Sequence, residues 1–409
     1  MKKIVLLFLF FIGIIPSLWS NPIRYTIEHG GYEREYLLYI PDSFNTDTDL
    51  IVCLHGFNSS MHAFFNEYNI KHIADSLNMM VLAPQALPEK TQRVIDKASE
   101  LKKLTGIEIP LKAVWGCGLN VKTSFFPFPL DEELNRDIDD VSFIRKIIDQ
   151  TLANYNLTHS NKFILGTSMG GFMSYQYALF HGNDLSGLIS ICGSMGTAIK
   201  NKEANITLPV CDFHSTTDEV VPYSGTLEYN AIFFKVKISL CEKKDQVVNF
   251  WIQKNGTASN AEKENVNYYP SDKNITIEKQ VYVHQENEVI HYKITGANHE
   301  YYFKKENGDR MDYNEEIAKF IASHSEKENT GIVNPIAQSL MIYPNPATDI
   351  VQVNVAEGEA TVYDLNGKAV LNSPVENGYL NVHSLTNGLY IIRIINNNQL
   401  FQNKLIIIK

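Results

Sequence analysis

Short apolar runs separated by stretches of helical spacing dominate the chain up to about residue 325. Leu50, Ile51, Val52, Cys53 and Leu54 form one run, and Phe163, Ile164 and Leu165 another. A strand that is apolar at every position is buried on both faces, as in a parallel sheet covered by helices. Residues 208–214 and 289–294 read as further strands, and residues 172–181 as a helix directly behind the second run. The pattern predicts an α/β fold with a mostly parallel central sheet over 21–325. Beyond Pro335 it changes to short alternating strands broken by Asn-Gly turns, such as Asn366-Gly367 and Asn387-Gly388. That predicts a small all-β sandwich at 335–409, joined through a polar linker at 326–334.

The chain opens with Met1, Lys2 and Lys3, an apolar stretch at 4–15 and a polar end at Ser20. These are the three regions of a secretory signal peptide, expected at 1–20 with cleavage after Ser20. A membrane anchor is the alternative, but the run falls short of the roughly 20 residues that a bilayer core demands. No transmembrane segment is expected once the signal is removed. With 44% hydrophobic and 20% charged residues the composition is that of a globular protein. A net charge of −10 argues against nucleic acid as a partner, because phosphate contacts need a basic surface. Cys53, Cys192 and Cys211 lie in the apolar strands and read as small core residues. Cys117 and Cys241 are the pair that could bridge in an exported domain.

Candidate chemistry begins at Gly166, Thr167, Ser168, Met169 and Gly170, which stand between the strand at 162–165 and the helix at 172–181. A GxSxG in a strand-turn-helix setting lifts the serine Oγ out of the sheet and aims the next N–H, that of Met169, at a bound carbonyl. A serine hydroxyl needs a histidine to take its proton and a carboxylate to hold that histidine, in the order Ser, Asp, His for this fold. Asp218 stands on the loop after the strand at 208–214, and His299 on the loop after the strand at 289–294. Asp212 competes for the acid role from within its strand; His291 and His214 read as a strand residue and a supporting residue. The strand at 50–54 ends in His55, Gly56 and Phe57, which makes the Phe57 N–H the natural second oxyanion donor.

Together these motifs resemble secreted esterases of the α/β-hydrolase fold: feruloyl and acetylxylan esterases of carbohydrate esterase family 1, and polyhydroxybutyrate depolymerases. The likeness extends to the strand pair at 29–41, the helix start at Asp139, the acid loop with Val221 and Pro222, and Phe250-Trp251. It implies an ester on a plant polysaccharide, feruloyl or acetyl, or alternatively a polyester, hydrolysed without cofactor or metal. The chain departs from that pattern at Glu300, Tyr301 and Tyr302 after the histidine, and in its long segment 91–131. Both lie where substrate is chosen, so the substrate-binding residues stay unassigned. Within that segment Phe125, Phe126 and Phe128 would either wall the site or anchor the insertion. The C-terminal region resembles the sorting domain of type IX secretion substrates, which implies handling by that machinery and an extracellular destination; a carbohydrate-binding sandwich is the alternative. A serine peptidase and a catalytically inactive surface binding protein are the readings from other classes.

Overall fold

The computed structural model describes residues 21–106, 108–124, 129–157, 160–230, 235–257, 260–285, 287–299, 301–325, 338–340, 342–364, 369–396 and 399–409. The expected signal peptide and linker, and the phenylalanines at 125–128, lie outside them. By its contacts the chain divides into two compact units, Met1–Glu326 and Lys327–Lys409.

In chain order the first unit runs β1 (Ile23–His29), β2 (Tyr32–Tyr39), β3 (Asp49–Leu54), α1 (Met61–Glu67), α2 (Ile70–Leu77), β4 (Met79–Pro84) and α3 (Gln92–Thr105). There follow β5 (Asn120–Thr123), β6 (Leu130–Glu133), α4 (Asp140–Asn154), β7 (Lys162–Thr167), α5 (Met169–His181), β8 (Gly187–Ile191) and β9 (Val210–Ser215). The unit ends with β10 (Thr226–Asn230), β11 (Lys235–Ser239), α6 (Lys244–Lys254), β12 (Glu262–Asn265), β13 (Thr276–His284), β14 (Asn287–Thr295) and α7 (Tyr313–Ser323). Ten strands form one sheet in the order β1-β2-β4-β3-β7-β8-β9-β14-β13-β12, parallel from β4 through β14. This is the expected α/β-hydrolase architecture. The apolar run in β3 divides by alternation: Leu50, Val52 and Leu54 join the core on one face, Ile51 and Cys53 the core on the other.

Register places the loops. Leu54 pairs with Gly166, so the turns after β3 and β7 emerge side by side where the strand order reverses, the usual ligand crevice of such sheets. Ser215 pairs with Ile294, so the loops after β9 and β14 also emerge together. A buried ion pair, Arg34 to Asp140 at 2.5 Å, ties β2 to the start of α4, and the second Asp140 oxygen accepts the Gly116 N–H at 2.7 Å.

Three features differ from the sequence reading. Strand β9 starts at Val210, because the N–H and carbonyl of Leu208 are bonded to the Asn255 side chain at 2.8 and 2.7 Å. Helix α5 starts at Met169; Gly170 and Gly171 carry no side chain to reveal the period. A second sheet, β10-β11-β5-β6, draws on the long segment and was not foreseen. As for Cys117 and Cys241, both are free, buried thiols, like the other three. They pack as small apolar residues in the core on one face, and Cys53, Cys192 and Cys211 do so on the other.

The second unit holds a five-stranded sheet of Gln338–Ser339, Gln399–Ile407, Gly388–Asn396, Gly358–Tyr363 and Ala369–Val375, and a three-stranded sheet of Ile342–Tyr343, Ile350–Val353 and Tyr379–Asn381. Alternation fills its core: Tyr390, Ile392 and Ile394 point inward from one strand. Asn345 donates to the Lys404 carbonyl and accepts the Ile406 N–H, both at 2.8 Å, which joins the Pro-Asn-Pro segment to the last strand.

Candidate active site

Ser168 sits between β7 and α5 at φ 53°, ψ −122°, a conformation that a non-glycine residue adopts only when its surroundings force it. The flanking glycines leave room for the close backbone approaches that hold it. A Cβ on Gly166 would lie 2.1 Å from the Gly170 carbonyl oxygen, and one on Gly170 would lie 1.9 Å from that of Leu54. Neither position admits any side chain, so the sequence motif is a packing requirement before it is a chemical one.

The loops from β9 and β14 close over this turn. His299 Nε2 lies 2.8 Å from Ser168 Oγ, and His299 Nδ1 lies 2.7 Å from Asp218 Oδ2. The other Asp218 oxygen accepts the N–H groups of Val220 and Val221 at 2.9 and 2.8 Å. Burial alone would raise the Asp218 carboxyl, but the hydrogen bond and charge of His299 outweigh it and hold the group below its usual range. The two loops are laced together: Ser215 Oγ and Thr217 Oγ1 donate to the Ala297 carbonyl at 2.7 and 2.8 Å, and Thr217 Oγ1 accepts the Gly296 N–H at 3.1 Å.

Asp212, the competing acid, is brought elsewhere. It is buried against Lys244 at 2.8 Å, His291 Nδ1 at 2.8 Å and Tyr175 Oη at 2.9 Å. Burial opposes its ionisation, and the Lys244 ammonium with His291 overrides that and holds the carboxyl far below its usual range. Sequence reading missed this network, because Lys244 stands in a charged stretch that looks like surface yet is 1% exposed. His214 lies under the acid loop, with Nε2 2.8 Å from the Val221 carbonyl and Nδ1 2.9 Å from that of Gly193. Burial, with Lys244 nearby, pushes it down to about 4.

On the opposite side of Ser168, the turn after β3 is set by His55. Its Nδ1 is 2.8 Å from the Gly56 carbonyl, its Nε2 accepts the Ala86 N–H at 3.1 Å, and burial pushes it down to about 4. The neutral ring thus holds the carbonyl of the peptide that joins Gly56 to Phe57, and planarity turns the Phe57 N–H the other way. Among the described residues no backbone acceptor takes that N–H. Met169 is the first residue of α5, so its own N–H lacks an intrahelical partner. The support from His55, and that of Trp115, whose Nε1 donates to the His55 carbonyl at 2.8 Å, carried no sequence signal.

Among the described residues one group could offer three metal ligands within 4.8 Å: Cys192, Asp218 and His299. Two of these are already committed to the line from Ser168, and the Cys192 thiol is pushed up by burial, which disfavours the thiolate a metal needs.

Residues 131–248 match the family described as Phospholipase/Carboxylesterase, and residues 341–409 the family described as Secretion system C-terminal sorting domain. No curated protein matches the sequence. Similar solved structures include an acetyl xylan esterase from Aspergillus awamori, at 9% identity and TM-score 0.43, covering 70% of this chain and 94% of that one. A thermostable esterase has 15% identity and TM-score 0.39, with 74% of this chain covered; the chain spans 60% of that protein's length. An acylaminoacyl peptidase from Pyrococcus horikoshii has 13% identity and TM-score 0.44, covering 76% of this chain and 43% of that one. Residues 131–248 thus carry a carboxylesterase-family match within a unit of α/β-hydrolase fold, and residues 341–409 match a type IX sorting domain, the mark of a chain sent outside the cell, to its surface or beyond.

Proposed function

We propose that the protein is a serine esterase in which Ser168 is the nucleophile, His299 the general base and acid, and Asp218 the residue that orients the imidazole. Ser168 Oγ attacks the ester carbonyl as His299 Nε2 takes its proton, and the N–H groups of Met169 and Phe57 receive the oxyanion. The proton then passes to the departing alcohol. Water, activated by the same histidine, releases the acid from the acyl-enzyme, and no cofactor enters. The observation that carries this reading is the unbroken line from Ser168 through His299 to Asp218, with steps of 2.8 and 2.7 Å, on a strained turn at the sheet's switch point.

For the substrate, the resemblance of the sequence favours feruloyl or acetyl esters on plant polysaccharide, with hydroxyalkanoate polyesters as the second reading. An exported enzyme suits either, because both are polymers met outside the cell. The signal peptide at 1–20 would start that export. The test is to treat the mature protein with a fluorophosphonate and to assay it on p-nitrophenyl esters beside a peptide anilide. We expect the label on Ser168 and turnover of the esters alone. Cleavage of the anilide at a comparable rate, or labelling of another serine, would overturn the assignment.

A further inference from the structure

The second sheet, α3 and Phe57 line a cavity of about 270 Å³. We propose that this cavity receives the acyl group of the substrate and selects apolar acyl groups longer than acetyl, a class that includes both cinnamoyl-type and medium-chain alkanoyl groups. The proposal rests on the esterase reading and narrows its acyl class, setting acetyl aside in favour of the longer acyl groups.

Position gives the first argument. A Cβ on Gly56 would lie 3.3 Å from Ser168 Cβ and 3.7 Å from its Oγ, so the next residue, Phe57, stands at the nucleophile's edge. Its half-exposed ring is part of the cavity wall. No residue of the loops after β9 and β14, which carry Asp218 and His299, lines the cavity. The departing alcohol must face His299 to receive its proton, so the side away from His299 belongs to the acyl group.

Composition gives the second. Val94, Lys97, Ala98 and Leu101 line the cavity from α3, and their spacing puts them on one helix face. Val94 is the one buried residue of this helix and joins the core, while Ala98 and Leu101 on the same face stand only partly buried at the cavity. From the opposite wall come Val121 and Thr123, two apart on β5 and hence on one side of the strand. Lys97 and Thr123 alone bring polar ends, and the Lys97 ammonium is engaged by Glu100 at 2.7 Å. A volume near the lower end for small-molecule sites, with apolar walls, fits one arm of an ester better than a whole sugar.

The experiment compares kcat/KM for p-nitrophenyl acetate, butyrate and octanoate, and for methyl acetate and methyl cinnamate, in the wild type and in Ala98→Trp, which fills the cavity from α3. In the wild type kcat/KM should climb from acetate to octanoate by at least about tenfold, since each buried methylene contributes roughly fourfold. Methyl cinnamate should exceed methyl acetate similarly if the natural acyl group is aromatic; a rise in the alkanoate series alone marks an aliphatic one. Ala98→Trp should cut the octanoate-to-acetate ratio at least tenfold. A flat wild-type series, or a ratio untouched by the substitution, overturns the proposal while leaving the esterase intact. Inactivity of the wild type on every ester sinks the esterase reading itself. Should Ala98→Trp melt early, Leu101→Ala decides: enlargement should move the preference toward longer chains, and an unmoved preference counts against the cavity.

Discussion

Around the ends of β9 and β14 the polar side chains are buried and bonded to one another, whereas on the other side of Ser168, around α3 and β5, apolar side chains face a cavity. The first corner combines Asp212, Lys244, His291, Tyr175 and His214 beneath the loops that present Asp218 and His299. The second is a helix with a single buried residue and a separate four-stranded sheet. In the first corner any displacement breaks several hydrogen bonds at once; in the second, side chains can be exchanged with little loss. On the proposed reading the chemistry is fixed by the core, and the choice of substrate is left to a layer that sequence change can reshape cheaply.

The strongest way to test this contrast is to remove the proposed reacting groups themselves. Ser168→Ala and His299→Ala should each lower ester turnover by about 10⁴-fold to 10⁶-fold without shifting the melting curve, since members of such a line act as a unit. Asp218→Asn should cost somewhat less. If one of the first two retained a tenth of the activity, the line at 2.8 and 2.7 Å would be incidental.

Next in size is the loss of a buried partner. Lys244→Met leaves the Asp212 carboxylate without its cation in a buried site and should destabilise the fold by about 3–5 kcal/mol in a urea titration. The matching change on the other side, Lys97→Met, affects a side chain that is 25% exposed and should stay within about 0.5 kcal/mol. Equal effects would erase the difference between the corners.

Acid should sharpen it further. His55 and His214 are held neutral in the folded state, both pushed down to about 4, while in the unfolded chain they protonate near 6.5. Between those limits the unfolded state binds more protons, so stability falls with falling pH, by up to about 1.36 kcal/mol per pH unit for each histidine. Asp212 and Asp218, whose carboxyls are depressed, add their loss only below that window, as pH drops from the ordinary carboxylate value through their folded ones. A melting temperature that is level from pH 6.5 down to 4 would contradict the buried neutral state of these rings.

The smallest effect expected is that of cutting the chain after Ser325. Turnover of soluble esters should remain within about twofold, and export from the native host should fail. Normal release of the shortened chain would remove the second unit's role as an address.

The sequence made the repeating parts legible. The apolar runs announced the central strands, and the glycines around Ser168 announced the turn, because a position that excludes every side chain leaves only one residue to choose. Asp218 and His299 could be singled out because a loop at a strand's end is a place defined by order along the chain. What escaped depended on tertiary neighbours. Lys244 looks like any surface lysine until Asp212 and the Gly193 carbonyl are seen to receive its ammonium, at 2.8 and 2.6 Å. His55 read only as a residue at the end of the strand at 50–54, since the Ala86 N–H that fixes its ring comes from the loop after β4. The second sheet escaped because its strands come from two segments far apart, with short runs whose polar residues hide the alternation.

The five free cysteines give the exported chain an unusual property. Its fold needs no oxidant to be completed, so activity should be the same with reductant present or absent. Burial raises the thiols, that of Cys241 to about 11, which keeps them from the thiolate form that reagents attack. A thiol reagent therefore reaches them only when the core opens. Cys117 and Cys241 report on the layer at one face of the sheet, and Cys53, Cys192 and Cys211 on the other. The rates at which the five are labelled in the native protein would separate the opening of one layer from that of the whole domain, with no probe added.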